Sequence, residues 1–355
     1  MSKFMWSGKL HKRMMALILS VMVLISFSGC GESETQVTKG DTVILFMGQE
    51  IGLGEVYLYA NTVIEDYEKM YGEGIWDTDV SVSSDKSLNM EDITRRDIIE
   101  DIVHVKLLCA KASEYKVDLS EAETEEAKRE ADDFYKNLTD QQLSDMQINY
   151  ELVQLVLREN ALASKVYDKI IASADIEVSD EDARETTFYD LFFEVYSVAS
   201  SGDVKRLDDE EGMAQYERAL QAYNTLNNPI ESGGTVTGEV NIEGLAEYYG
   251  LKNSSYYTMT PDEIRETYGN DVADTIYGLE DGSYSLVTKS DFGYHIFYMK
   301  ALTDRQATDT HKESILVQRK NEYMEGIYSE WLGELDPDYT YEDSVVFSTY
   351  EKIKF

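Results

Sequence analysis

Cysteine, histidine and proline are all scarce in this 355-residue chain, with two, four and three residues respectively. Cys30 and Cys109 cannot build a disulfide framework or a multi-cysteine metal site. The histidines, His11, His104, His295 and His311, never fall at the close spacing of paired zinc ligands. Positive charge is thin as well: 32 Lys and Arg face 69 Asp and Glu, for a net charge of −37. So acidic a surface repels phosphate backbones, which makes nucleic acid a poor partner. No repeat of 20–50 residues is evident. What the chain does have is 43% hydrophobic residues, enough for a sizeable core. Its length exceeds the roughly 250–300 residues at which single cores tend to divide.

The N-terminus reads as an address. Lys3, Lys9, Lys12 and Arg13 form a basic stretch, and Met14 to Phe27 is apolar apart from two serines. That run is short of the about 20 apolar residues a spanning helix needs. It ends in Phe27-Ser28-Gly29-Cys30, which resembles the lipobox of bacterial lipoproteins, although Phe27 stands where Leu is usual. The resemblance implies a signal peptide over 1–29, lipidation of Cys30 and anchoring to the outer face of the cell membrane. Residues 30–42 then serve as a tether. An uncleaved N-terminal anchor is the other reading, and it also places the chain outside the cytoplasm.

Residues 43–52 suggest a short strand and turn, after which helical periodicity takes over. One stripe runs through Val56, Tyr59, Ala60, Val63, Ile64 and Tyr67, with Gly72 as a stop; a second runs through Ile98, Ile102, Val105, Cys109 and Ala112. Ser120 with Glu123 and Thr139 with Gln142 match capping boxes, and Leu143 to Ala174 stays helical in pattern. No strand is expected over 53–175. Cys109 and His104 read as structural residues of their helix.

The character changes near residue 186. Thr187 to Val198 is dense in aromatic and β-branched residues and predicts a strand. Helices are expected at 209–226 and 241–249, with a Ser-Gly-Gly-Thr loop at 232–235 between them. Thr260-Pro261-Asp262-Glu263 starts a further helix, expected to run to about Tyr277. Strands at 283–289 and 293–301 follow, then a long helix at 304–333 and an extended tail over 335–355.

Gly278-Leu279-Glu280-Asp281-Gly282-Ser283-Tyr284-Ser285 and Phe292-Gly293-Tyr294-His295-Ile296 resemble the end of a parvulin-type peptidyl-prolyl isomerase domain. The flanking helices are similar to those of SurA/PrsA-like foldases. The implied fold is α+β: a helical chaperone module over 43–185, an inserted β-α-α-α-β-β domain over 186–302, and a returning helix over 303–334 that packs with the module. The implied partners are unfolded secreted polypeptides, with no cofactor and no metal. Parvulins lower the barrier of about 18–20 kcal/mol to amide rotation by holding the proline in an apolar pocket and placing donors around the twisted amide. Of the family's two histidines only His295 is matched; Asp190 occupies the place of the other, and Lys252 falls near the family's Cys or Asp. Met259 and Phe292 are candidates for the apolar pocket. Asp190 could orient His295, or it could pair with Lys252 and leave His295 as a structural residue of the sheet. The leading expectation is therefore a foldase with weak isomerase activity. A fully active isomerase is the alternative, and a solute-binding lipoprotein, which would need two lobes of repeated strand–helix units, is a remote one.

Overall fold

The computed structural model describes residues 40–83, 86–198, 204–227 and 242–355. The lipobox with Cys30 and the loop at 232–235 lie outside them. The chain divides into two compact units, one of Glu177–Val317 and one formed by the chain on either side of it.

The first unit begins with a hairpin, β1 (Thr42–Phe46) against β2 (Gln49–Gly52), which leads directly into α1 (Leu53–Tyr71). A second hairpin, β3 (Asp79–Ser83) with β4 (Lys86–Asn89), precedes α2 (Met90–Lys111). This hairpin corrects the expectation of no strand over 53–175. Its residues, DVSVS and KSLN, are too polar and too few to stand out from a loop in sequence. Next come α3 (Glu121–Asn137), a short α4 (Asp140–Asp145) and α5 (Tyr150–Ser173). Both expected capping boxes form, Ser120 with Glu123 and Thr139 with Gln142. The helix expected to run unbroken from Leu143 is interrupted, because Gln147 takes a positive φ of 57° and Asn149 caps α5 through Leu152 N–H.

The second unit is built on one antiparallel sheet, with β8 (Ser255–Met259), β5 (Thr186–Glu194), β10 (Gly293–Ala301) and β9 (Thr288–Lys289) lying in that order. Beyond β5, Tyr196–Val198 (β6) pairs with Val204–Arg206 (β7) in a separate hairpin. Helices α6 (Asp209–Asn227) and α7 (Ile242–Tyr249) follow, and α8 (Pro261–Tyr268) and α9 (Asn270–Tyr277) come after β8. Period-2 alternation splits the aromatic run of β5 between two cores. Tyr189, Leu191 and Phe193 pack with Ile296 and with Ala219 and Ala222 of α6. Phe188, Phe297 and Met299 pack with Ile264 of α8 and with Val272, Ala273 and Ile276 of α9.

The β-α-α-α-β-β order thus needs four corrections, the first being that the strand expected over Thr187–Val198 breaks at Val195, so that Tyr196–Val198 pairs with Val204–Arg206 outside the main sheet. A fourth strand, Ser255–Met259, stands beside β5; its tyrosines carry β propensity, but it was masked by the strong helix start after it. The expected helix from Thr260 breaks at Gly269, whose φ of 80° is a left-handed conformation that ends α8 and starts α9. Residues 283–289 run beside β10 with irregular pairing, joined by a bridge at Tyr284–Tyr298, and only Thr288–Lys289 forms a ladder.

Helix α10 (Arg305–Leu335) starts in the second unit and enters the first from Gln318 onward. Within the second unit Arg305 and Lys312 both pair with Asp180, so that unit takes in residues on either side of the 186–302 read from sequence. Within the first unit, Met324, Tyr328 and Trp331 of α10 join the core of α1, α2 and α5. The tail, expected to be extended, instead forms two short helices, α11 (Tyr341–Ser344) and α12 (Phe347–Tyr350). Arg95 fastens it, donating to the carbonyls of Tyr350 and Ile353 while Tyr350 Oη donates to Arg95 O.

Candidate functional site

Asp190 and His295 sit on adjacent central strands as diagonal neighbours, two residues apart in register: Asp190 is opposite Phe297 and His295 opposite Phe192. Their side chains therefore share the face of the sheet covered by α8 and α9. Both residues are 3% exposed. His295 Nδ1 lies 2.9 Å from Asp190 Oδ1 and 3.0 Å from Oδ2, and Tyr268 Oη donates to Oδ2 at 3.2 Å. A carboxylate only accepts, so Nδ1 carries the proton. On the other side of the ring, Nε2 lies 2.8 Å from Ser290 Oγ. Phe292 N–H donates to that same Oγ at 3.0 Å; in the tautomer with the proton on Nδ1, Nε2 is an acceptor and the Ser290 hydroxyl can donate to it.

Aromatic rings pack against the imidazole as well. Phe192 stacks with it, with centroids 4.5 Å apart and planes within 5°, and Phe297 lies parallel to it at 5.3 Å and 6°. Tyr268 stands edge-on to both His295 and Phe297. Burial, with the Asp190 charge beside it, pushes the Tyr268 hydroxyl well above the usual tyrosine range, so it remains a donor to the carboxylate at any ordinary pH. Gly293 lets the strand approach this closely: a Cβ there would meet Phe193 O at 2.2 Å and Phe192 Cε2 at 2.8 Å.

Asp190 thus pairs with His295 and not with Lys252, which corrects one of the two expectations for it. No ion pair joins Asp190 and Lys252 among the described residues, and Lys252 is exposed in the turn after α7. The proposed pocket residues are not brought together. Met259 pairs with Thr186 at one end of β5, while Phe292, 58% exposed, precedes Gly293, which pairs with Glu194 at the other end. Eight strand steps of about 3.3 Å separate these ends by roughly 26 Å. Ser290 and Tyr268 are the site residues that sequence reading missed. Ser290 lies five residues before His295 across a tight turn, a spacing that could have flagged it; Tyr268, at the end of α8, is 78 residues from Asp190 and has no local signal tying it to the site.

His104 and Cys109 of α2 have neighbours suited to structure. His104 stacks on the buried Tyr328 at 3.9 Å, and Cys109 Sγ contacts Glu159 O. Burial, with Glu159 nearby, pushes the Cys109 thiol up to about 12, far from a reactive thiolate. Among the described residues no group of three His, Cys, Asp or Glu is placed to hold a metal ion.

A helical unit joined by one chain to an antiparallel sheet unit, with a buried carboxylate–imidazole pair at the sheet centre, is the class of molecule observed here. No protein-family model matches the chain. In sequence it is similar, over nearly its whole length, to foldases of the PrsA type. It is 22% identical over 327 residues to a protein named foldase protein PrsA from Caldanaerobacter subterraneus subsp. tengcongensis, covering 90% of this chain and 94% of that one. It is 23% identical over 346 residues to the foldase protein PrsA of Clostridium perfringens, covering 92% and 94%. A solved Bacillus cereus structure titled peptidylprolyl isomerase (PrsA) aligns over 79% of this chain and 100% of its own, at 14% identity and a TM-score of 0.26. That score is too low to carry an argument about the fold. The resemblance to SurA/PrsA-like foldases is thus matched by similarity in sequence over about nine-tenths of the chain.

Proposed function

We propose that this chain is an extracytoplasmic, lipid-anchored foldase that holds unfolded secreted polypeptides, and that its isomerase-like unit turns prolyl bonds over weakly. The observation that carries the foldase reading is the similarity to PrsA foldases over nine-tenths of the chain. Exposed apolar side chains on both units support the holding role. Met213, Tyr216 and Leu220 stand along α6, and Met70 and Phe347 are exposed on the helical unit. The strands of both units pair antiparallel, which disfavours lobes of repeated parallel strand–helix units and with them solute binding.

Weak isomerase activity is inferred from the closure of His295. Catalysis of amide rotation needs donors free to meet the twisted amide. Here both ring nitrogens are already engaged inside the fold, and Phe192 and Phe297 lie parallel to the ring. The test of the foldase reading is suppression of aggregation of a denatured secreted protein by the mature chain. Suppression at near-stoichiometric ratios is expected; aggregation as fast as in buffer would refute it. For the anchor, Cys30→Ala should abolish labelling by a fatty-acid analogue, and persistent labelling would sink the lipobox reading.

A further inference from the structure

The contacts around His295 form a chain with a polarity: Asp190 carboxylate, imidazole Nδ1–H, imidazole Nε2, serine Oγ–H, with heavy-atom separations of 2.9 and 2.8 Å. The two inner members are buried, while Ser290 is half-buried in the turn between β9 and β10, at the surface. We propose that Ser290 is an activated nucleophile, a site of acyl transfer from activated esters and of phosphonylation by serine-directed electrophiles. This goes beyond the foldase reading and does not depend on it.

The chemistry follows from the residues present. A serine hydroxyl attacks a carbonyl only when a base takes its proton as the new bond forms, and that base works only in one tautomer. Asp190 fixes the tautomer by accepting from Nδ1–H, and its charge offsets the imidazolium that appears when Nε2 takes the proton. As Ser290 Oγ bonds to the acyl carbon, the carbonyl electron pair moves to its oxygen. On collapse the bond to the leaving alcohol breaks, and the Nε2 proton passes to that alcohol's oxygen. Water, deprotonated by Nε2, then releases the carboxylic acid and restores the serine. Phe292 N–H, which donates to Ser290 Oγ at 3.0 Å in the resting site, is a backbone donor beside the nucleophile that would turn to the developing oxyanion. A single such donor favours activated esters over amides. Asp190 is a positioning residue here; Ser290 and His295 are the groups that touch the reacting atoms.

The test uses the intact mature chain with a fluorophosphonate probe, followed by peptide mass spectrometry and a time course. Label concentrated on Ser290 is expected, lost in Ser290→Ala and in urea-unfolded protein. Asp190→Asn, which keeps an acceptor for Nδ1–H but removes the charge, should slow labelling by about tenfold or more. Should that variant fail to fold by circular dichroism, the contrast between native and unfolded wild type decides. No label on Ser290, label spread evenly over serines and tyrosines, or labelling equally fast in folded Asp190→Asn or in urea would each overturn the proposal.

Discussion

In the helical unit buried charge is paired between helices that are far apart in sequence. Lys106 of α2 lies 2.6 Å from Glu55 of α1 and 2.5 Å from Glu159 of α5. In the sheet unit a buried carboxylate and imidazole, Asp190 and His295, share one face of two neighbouring strands, with two phenyl rings parallel to the histidine. The helical arrangement ties elements together, since each charge is a condition for another helix to be in place. The sheet arrangement orders a single ring and one surface serine. Buried ion pairs are weak evidence for net stability, but removing one partner is costly in either setting. The contrast therefore lies in what each loss would disturb.

The largest effect should come from Lys106→Ala. Burial pulls its ammonium down, yet the carboxylates of Glu55 and Glu159 outweigh that and hold it above its ordinary value. Without it, Glu55, 2% exposed, loses its counter-charge. The helical unit should lose about 3–5 kcal/mol, read as an early transition in urea monitored by helix content. A change below about 1 kcal/mol would mean that the pair contributes little.

Asp190→Ala should act next, and only on the sheet unit. It strands Nδ1–H of His295 and Tyr268 Oη without an acceptor, at a cost of about 2–3 kcal/mol. Hydrogen exchange should rise across β5 and β10 and stay unchanged in α1 and α2. Exchange rising equally in both units would erase the distinction between them.

A smaller, pH-dependent effect is expected at Asp101 of α2, half-buried near Asp97, Glu100 and Glu325. Burial first, and then those carboxylates, raise it from 3.8 to about 7. Between those values the folded chain holds a proton that the unfolded chain has released, so stability falls as pH rises through about 4 to 7. Asp101→Asn should match wild type near pH 4 and exceed it at pH 8; the full shift would be worth about 4 kcal/mol, and solvent screening of this half-buried group cuts the expected gain to about 1–2 kcal/mol. Thermal melts at the two pH values check this, and a variant no more stable than wild type at pH 8 would contradict it.

Much of the helical unit was legible because its signals are local. Capping boxes at Ser120 and Thr139 and the 3.6-residue stripes depend on neighbours within a turn or two, as does the box at Thr260 in the sheet unit. The tail was misread because its helical turns are held by Arg95, about 255 residues earlier, and by burial of Tyr350 and Ile353. His295 and Asp190 were legible as site residues through resemblance, but their partnership rests on strand register, which no local pattern reveals. The same holds for Met259 and Phe292: each is plausible alone, and the register sets them at opposite ends of one strand.

Refolding kinetics of a proline-limited substrate, with wild type and Asp190→His, show whether Asp190 closes off the imidazole of the isomerase-like unit. Wild type should accelerate the slow phase little, and Asp190→His, which restores a second ring to the site, should accelerate it measurably more. Strong acceleration by wild type that collapses in His295→Ala would contradict the account and make Asp190 part of a working isomerase site.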